Sequence, residues 1–271
     1  VWIDGGLVDT AVARVSPFDH GLLTGDGVFE TLRVARGIPF AVRRHLDRLA
    51  RSAAGLRLPC PPASVLRAAM AQVVEGNGLV EGRLRVTVTG GVAPLGSVRA
   101  DVAPTVIVAG GPLPDWPAAT GVAISPWPRN DRGALTGLKT ISYGENVVAL
   151  AHAADRGAGE AIFANLVGNL CEGTGTNVFL GVGGRLVTPP LSAGCLAGVT
   201  RELLLELVDA IEDDLPLAAL ASADEAFLTS STRDVQAIAA VDGHPLPSCP
   251  GPLTVAAAAA FAVLVATDLD P

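Results

Sequence analysis

Arg83-Leu84-Arg85-Val86-Thr87-Val88-Thr89 alternates strictly, with Leu84, Val86 and Val88 on one side of an extended chain and Arg83, Arg85, Thr87 and Thr89 on the other. Successive side chains of a strand point to opposite faces, so this stretch predicts a half-buried strand. Its apolar face belongs on a core, and its cationic, hydroxyl-bearing face suits a site lined by side chains. Upstream, Leu46, Leu49, Ala50, Ala53 and Leu56 recur at helical spacing over residues 44–56, and a second helix is expected over 62–75. Gly27–Ala35 reads as a strand closed by a turn at Arg36-Gly37, and residues 1–3 as a short strand before Asp4-Gly5-Gly6. The first 113 residues thus form one α/β domain.

Pro112, Pro114, Pro117, Pro126 and Pro128 crowd the chain that follows, which places a linker over 114–128 and a second domain over 129–271. That domain is expected to open with Lys139 and continue through a helix over 143–156, then strands near 161–164 and 177–180 and at Arg185–Thr188. A helix from Thr200 carries Leu203, Leu204, Leu207 and Ile211 on its apolar side, and strands near 225–229 and 235–240 precede a C-terminal helix. The uncharged run 253–267 is shorter than the roughly 20 residues of a membrane span, and its alanines read as a buried helix.

At 49% hydrophobic and 17% charged residues, a chain of 271 residues can bury a core and divide into two domains. A net charge of -8 gives it no general attraction to nucleic acid or an anionic membrane, so anionic ligands must be caught by local arginines and helix ends. Residues 1–9 hold a turn and two acids where a signal peptide needs an apolar stretch, and a cytoplasmic location is expected. Cys60, Cys171, Cys195 and Cys249 lack metal-ligand spacing and a disulfide pattern, and are expected to be reduced, small core residues with no metal.

Of the 19 basic residues only one, Lys139, is lysine. A chain that has turned so far toward arginine should keep lysine where guanidinium cannot serve. Arginine stays protonated at any usable pH, whereas a desolvated lysine amine can lose its proton and attack a carbonyl. Lys139 is therefore the candidate Schiff-base lysine, against the plainer alternative of a lone surface survivor. The single tyrosine, Tyr143, stands just downstream.

Schiff-base chemistry on pyridoxal 5'-phosphate also needs a group opposite the pyridine nitrogen and donors for the phosphate. Glu172, in Asn169-Leu170-Cys171-Glu172-Gly173-Thr174, follows an apolar strand and enters a glycine-containing turn, where it is either held against a cofactor or is an ordinary surface acid. Gly198-Val199-Thr200 precedes a helix read over 201–211 and offers close approach, a hydroxyl and free amides, or else a simple threonine N-cap. Thr229-Ser230-Ser231-Thr232 adds hydroxyls at a strand end, within reach of Arg48 only if the two domains face each other.

The string Phe18-Asp19-His20-Gly21-Leu22-Leu23-Thr24-Gly25-Asp26-Gly27-Val28-Phe29-Glu30-Thr31 resembles the N-terminal motif of fold-type IV pyridoxal-phosphate enzymes, the class IV aminotransferase family. His45-Leu46-Asp47-Arg48-Leu49, Gly137-Leu138-Lys139-Thr140, Glu172-Gly173-Thr174 with Asn177-Val178-Phe179, and Thr188-Pro189-Pro190-Leu191 leading to Gly198-Val199-Thr200-Arg201 continue the likeness in the family's order. The resemblance implies a two-domain α/β (α+β) fold with the cofactor in the interdomain cleft, acting on a small molecule in a homodimer. It further implies that Lys139 forms the Schiff base and shuttles the proton, and that Glu172 pairs with the pyridine nitrogen. Arg48, Val199, Thr200 and Ser231 then hold the phosphate, and Tyr143 lies near the ring hydroxyl.

Within the class, residues 139–146 and 169–175 look most like lyases that form 4-aminobenzoate and pyruvate from 4-amino-4-deoxychorismate, with a branched-chain or related aminotransferase as the alternative. A D-amino-acid enzyme is disfavoured, since Gly90-Gly91-Val92-Ala93-Pro94-Leu95 lacks the Arg-x-His carboxylate trap of that group. A non-catalytic binder of the cofactor is the remote reading. Arg85 is the candidate for a substrate carboxylate, with Thr232 near it through its backbone.

Overall fold

The computed structural model describes all 271 residues, which form two compact units. The first comprises Val1–Pro114, Leu138–Ser142 and Thr267–Pro271; the second comprises Asp115–Gly137 and Tyr143–Ala266.

In the first unit β1 (Trp2–Ile3), β2 (Gly6–Leu7), α1 (His20–Thr24), β3 (Gly27–Ala35), β4 (Ile38–Pro39), α2 (Val42–Gly55), α3 (Ala63–Gly76), β5 (Gly82–Thr89) and β6 (Val106–Gly111) follow in order. The strands form an antiparallel sheet in the order β2-β1-β6-β5-β3-β4. Its centre is the pairing of β3 with β5, from Gly27 opposite Thr89 to Val34 opposite Gly82. The alternation read in β5 holds: Leu84, Val86 and Val88 are fully buried with Val28, Leu32 and Val34 of β3, against Leu46 and Leu49 of α2 and Met70 of α3. Thr89 departs from it, being buried, because its hydroxyl donates to Asp19 (3.0 Å).

One charged residue shares the apolar face of β3. Glu30 is completely buried and accepts from Arg48 Nε (2.8 Å) and Nη2 (2.6 Å) and from His45 Nδ1 (2.7 Å), both on α2. His45 and Arg48 are three residues apart and so lie on one helix face. Burial alone would raise the Glu30 pKa, but the Arg48 guanidinium and the His45 hydrogen bond bring it down from the ordinary 4.5 to about 2. Burial pulls the His45 pKa below its ordinary value despite the Glu30 hydrogen bond, so a neutral ring donates its Nδ1 proton to the carboxylate.

The second unit holds β7 (Ala119–Ile124), α4 (Gly144–Ala154), β8 (Glu160–Ala164), β9 (Leu170–Gly173), β10 (Asn177–Val182), β11 (Arg185–Thr188), α5 (Val199–Leu207), β12 (Ala210–Glu212), α6 (Ala219–Ser222), β13 (Glu225–Ser230), β14 (Asp234–Val241), β15 (His244–Pro245) and α7 (Pro252–Thr267). Its sheet runs β12-β11-β10-β13-β14-β7-β8-β9, with β15 added to β14. The core gathers Val122, Ile162, Val178, Leu180, Leu228 and Ile238, and beside it Phe179 stacks on Phe227 at 4.9 Å.

Several expectations need correction. Lys139 does not open the second unit: the segment Leu138–Ser142 belongs to the first, because its backbone pairs with β3. The helix from Val199 stops at Leu207, since Val208 is extended and Ile211 lies in β12, paired in parallel with Val187 of β11. The C-terminal helix forms but is not buried. Only Thr254, Ala257 and Phe261, one stripe at helical spacing, are buried, while Val255 and Val263 are exposed. Cys171 and Cys195 are buried and free, but Cys60 is half-buried and Cys249 exposed, so only two of the four are core residues. No helix is long and apolar enough to cross a membrane.

The buried acid of β3 makes a prediction. A carboxylate whose folded pKa is depressed contributes stability that is present above its unfolded pKa and lost as pH falls through the folded one, here about 3 kcal/mol lost between pH 4.5 and 2. Glu30→Gln removes that contribution and strands Arg48 beside a neutral amide, so urea unfolding at pH 7 should show a loss of about 3–5 kcal/mol. The deficit should close as the pH is lowered toward 2; a deficit independent of pH would contradict the assignment.

Candidate active site

In the first unit, Leu138–Ser142 runs antiparallel along the free edge of β3. The Phe29 amide donates to the Lys139 carbonyl (3.0 Å) and the Ile141 amide to the Gly27 carbonyl (2.9 Å), with Thr140 bridged to Val28. The Lys139 amide donates to the hydroxyl of Ser52 (3.0 Å), a buried residue one turn beyond Arg48 on α2. Thr140 is buried on the core side, which turns Lys139 to the opposite face with Phe29. Lys139 Nζ lies 4.3 Å from the centroid of the Phe29 ring, and the guanidinium carbon of Arg85 lies 3.7 Å from the same centroid. The only lysine and the predicted carboxylate anchor thus share one aromatic platform on the cationic face of the sheet. Arg48, expected at the phosphate, is buried with two of its nitrogens on Glu30.

In the second unit Glu172 lies within β9, opposite Phe163 of β8, and not in the turn that follows. The turn itself is fixed from beneath. Buried Glu160 of β8 accepts from the Thr174 amide (3.1 Å), from the Thr174 hydroxyl and from the Thr176 hydroxyl (3.2 Å), and is ion-paired with Arg233 (3.4 Å). The Leu196 amide donates to Glu172 Oε2 (2.9 Å), and Arg129 Nε lies 3.2 Å from Glu172 Oε1.

The loop that holds Glu172 leads directly to α5. The Leu196 carbonyl accepts from Asn177 Nδ2 (2.8 Å), and Gly198 precedes Val199 and Thr200, the first helical residues. No side chain caps α5, so the amides of its first turn are left to another acceptor, the arrangement that suits a phosphate. A Cβ on Gly198 would overlap the Asn177 side-chain oxygen, which is why glycine stands there. Ser231 and Thr232 are half-buried in the turn joining β13 to β14. The neighbouring Thr229 hydroxyl is buried with no hydrogen-bond partner, of the kind an oxygen-rich ligand would supply. Tyr143 is half-buried at the N-cap of α4.

Lys139, Arg85, Arg48 and Ser52 are therefore gathered in one unit, and Glu172, Val199, Thr200, Ser231 and Thr232 belong to the other. Sequence reasoning missed Glu30, Ser52, Glu160 and Arg129. The one signal for Glu30 was an acid in step with Val28, Leu32 and Val34.

Residues 27–241 match the model of the amino-transferase class IV family, and the chain belongs to that family. It is 33% identical over 259 residues to a Methanocaldococcus jannaschii protein provisionally named a branched-chain-amino-acid aminotransferase, covering 90% of this chain and 88% of the relative. It is 30% identical over 246 residues to the aminodeoxychorismate lyase of Bacillus subtilis, covering 87% and 84%. The crystal structure of Escherichia coli branched-chain amino acid aminotransferase superposes with a TM-score of 0.91 at 28% identity, covering 97% of this chain and 93% of that one. Both a transaminase and a lyase are thus among its relatives, and the chain is an enzyme of this class.

Gly198→Ala should push the Asn177 amide and the Leu196–Gly198 loop apart. The expected result is at least about tenfold weaker pyridoxal-phosphate binding, followed by absorbance titration, with a stability loss of about 1–3 kcal/mol from overpacking. Parental affinity in this variant would remove the start of α5 from the site.

Proposed function

We propose that this chain is a pyridoxal-phosphate lyase that converts 4-amino-4-deoxychorismate to 4-aminobenzoate and pyruvate, a reaction that supplies folate synthesis. The observation that carries chemistry on an amine bearing a carboxylate is Arg85 stacked on Phe29 beside Lys139, an anchor next to the only primary amine among the side chains, which serves a lyase and a branched-chain aminotransferase alike. The residues fit the cofactor: an amine, a carboxylate held by two partners, an uncapped helix start and a buried hydroxyl without a partner. Support for the lyase also comes from the two segments that most resemble such enzymes, which meet where Asn146 Nδ2 donates to the Thr174 carbonyl (2.6 Å).

Bound there, pyridoxal phosphate supplies the electron sink for the pair left when the carbon bearing the substrate's amine loses its proton. With the cofactor bound, Lys139 would be the residue that anchors it, and its freed Nζ would take that proton. Glu172 keeps a proton on the pyridine nitrogen, and its fixed partners keep the carboxylate from turning away. The amides of Val199 and Thr200, the Thr200 and Ser231 hydroxyls and Arg48 hold the phosphate. Tyr143 lies toward the ring hydroxyl, and Arg85 with the backbone of Thr232 orients a substrate carboxylate. The pair left by that proton would break the bond from the substrate ring to the enolpyruvyl oxygen, which takes up a proton and leaves as the enol of pyruvate, and the substrate ring becomes aromatic. A homodimer in the cytoplasm completes the proposal.

A branched-chain aminotransferase is the second reading, favoured by the 33% identity to the Methanocaldococcus jannaschii relative. The two differ in whether a second substrate is required. A lyase returns to its starting state unaided, so many turnovers of 4-aminobenzoate and pyruvate should form from aminodeoxychorismate with no keto acid present. Rapid stoichiometric bleaching of the yellow enzyme by L-leucine, reversed by 2-oxoglutarate and without aminobenzoate, would establish the second reading instead. Arg85→Ala should raise KM about 10- to 150-fold, the equivalent of about 1.5–3 kcal/mol for a charge-assisted contact, with the enzyme's absorption unchanged.

A further inference from the structure

We infer that Arg129 is a positioning residue that sets the orientation and charge of Glu172, an inference that rests on the proposed place of Glu172 at the pyridine nitrogen. The Arg129 backbone is fixed first: its amide donates to the Ala164 carbonyl (2.7 Å) and the residue bridges to Asn165, just past β8. Its guanidinium carbon then lies 4.1 Å from the centroid of Phe163, a buried ring. Phe163 is the cross-strand partner of Glu172. Directly opposed residues present their side chains on the same face, so stacking on Phe163 delivers the guanidinium to the carboxylate.

Each end of the pair is then tied. Arg129 Nη1 donates to Asn146 Oδ1 (2.8 Å), and Asn146 Nδ2 donates to the Thr174 carbonyl (2.6 Å), two residues beyond Glu172. Arg129 Nε stands 3.2 Å from Glu172 Oε1, and the Leu196 amide donates to Oε2 (2.9 Å). Oε2 is therefore held by a backbone hydrogen bond, and Oε1 faces the guanidinium as an ion pair whose Nε is not aligned for a hydrogen bond. Glu172 is only 12% exposed, so the attraction is weakly screened. A second cation near this cluster, Arg201, is ion-paired with Glu212. Burial and the negative charge of Glu172 push the Cys171 and Cys195 thiols up, Cys195 to about 12, so both are neutral. Asp131 and Glu145 carry the same sign as Glu172, and Glu145, 3.8 Å from Arg129, is mostly exposed. Arg129 is a cation in contact with the carboxylate. A carboxylate that must hold a proton on a neighbouring nitrogen has to stay ionised itself, and an adjacent guanidinium favours the charged form.

The test follows Glu172 directly by 13C NMR of glutamate-labelled full-length protein without cofactor, with its signal assigned by Glu172→Gln. In Arg129→Gln the carboxyl titration should move up by about one pH unit or more, and Arg129→Lys should recover part of the shift. In the loaded enzyme Arg129→Gln should lower kcat at least about tenfold with KM little changed, because the interaction acts on developing charge and not on capture. If Arg129→Gln fails to fold, Asn146→Ala, which releases Nη1, should shift the carboxyl titration in the same direction by less. Normal kcat and cofactor affinity in Glu172→Gln would remove Glu172 from the pyridine nitrogen and end the underlying reading. A slow Glu172→Gln beside unshifted titration and parental kcat in the Arg129 and Asn146 variants would leave that reading standing and overturn the role of Arg129.

Discussion

A carboxylate buried on the core face of β3 sets the geometry of the first unit. Glu30 can sit among Val28, Leu32 and Val34 only because α2 brings His45 and Arg48 to both of its oxygens. A buried, ionised group without such partners would lose several kcal/mol of solvation, so α2 can dock in only one rotation and one register. That register puts Ser52 against the amide of Lys139. The amine on the Phe29 ring is thus the end of a chain of contacts that begins with the buried Glu30.

The second unit uses the same device. Glu160 lies beneath the turn after β9 and takes up the donors of Thr174 and Thr176, which fixes the strand carrying Glu172. Glu225 does the like for α7, accepting from the Leu253 and Thr254 amides and the Thr254 hydroxyl. In each case a slipped register would leave a charge unpaired in the core, which disfavours that alternative packing. The loop from Leu196 to Gly198 then joins the carboxylate of Glu172 to the start of α5, so one short segment fixes both.

What the sequence disclosed follows from the range of the interactions. The bounds of β3 and β11 and the inward face of β5 were legible because period-two alternation and flanking glycines are local signals. Lys139 and Glu172 stood out through composition and motif. The end of α5 was not legible, since Ile211 continues the helical spacing while its actual partner is Val187 on a neighbouring strand. The exposure of α7 was hidden too, because a helix that is apolar all round has no marked inner face. Glu30 left one trace, its step with Val28, Leu32 and Val34, but its partners, like those of Arg129 and Glu160, were hidden for a related reason. Their partners lie far along the chain or on another element, and nothing in the residues beside them announces a pair.

Lys139 is the proposed point where the cofactor is held. Borohydride treatment of the yellow enzyme followed by peptide mapping tests it most directly. The pyridoxyl group should be found on the peptide spanning Gly137 to Tyr143, attached to Lys139. An enzyme that binds pyridoxal phosphate and turns over, yet takes no label at Lys139, would contradict the account.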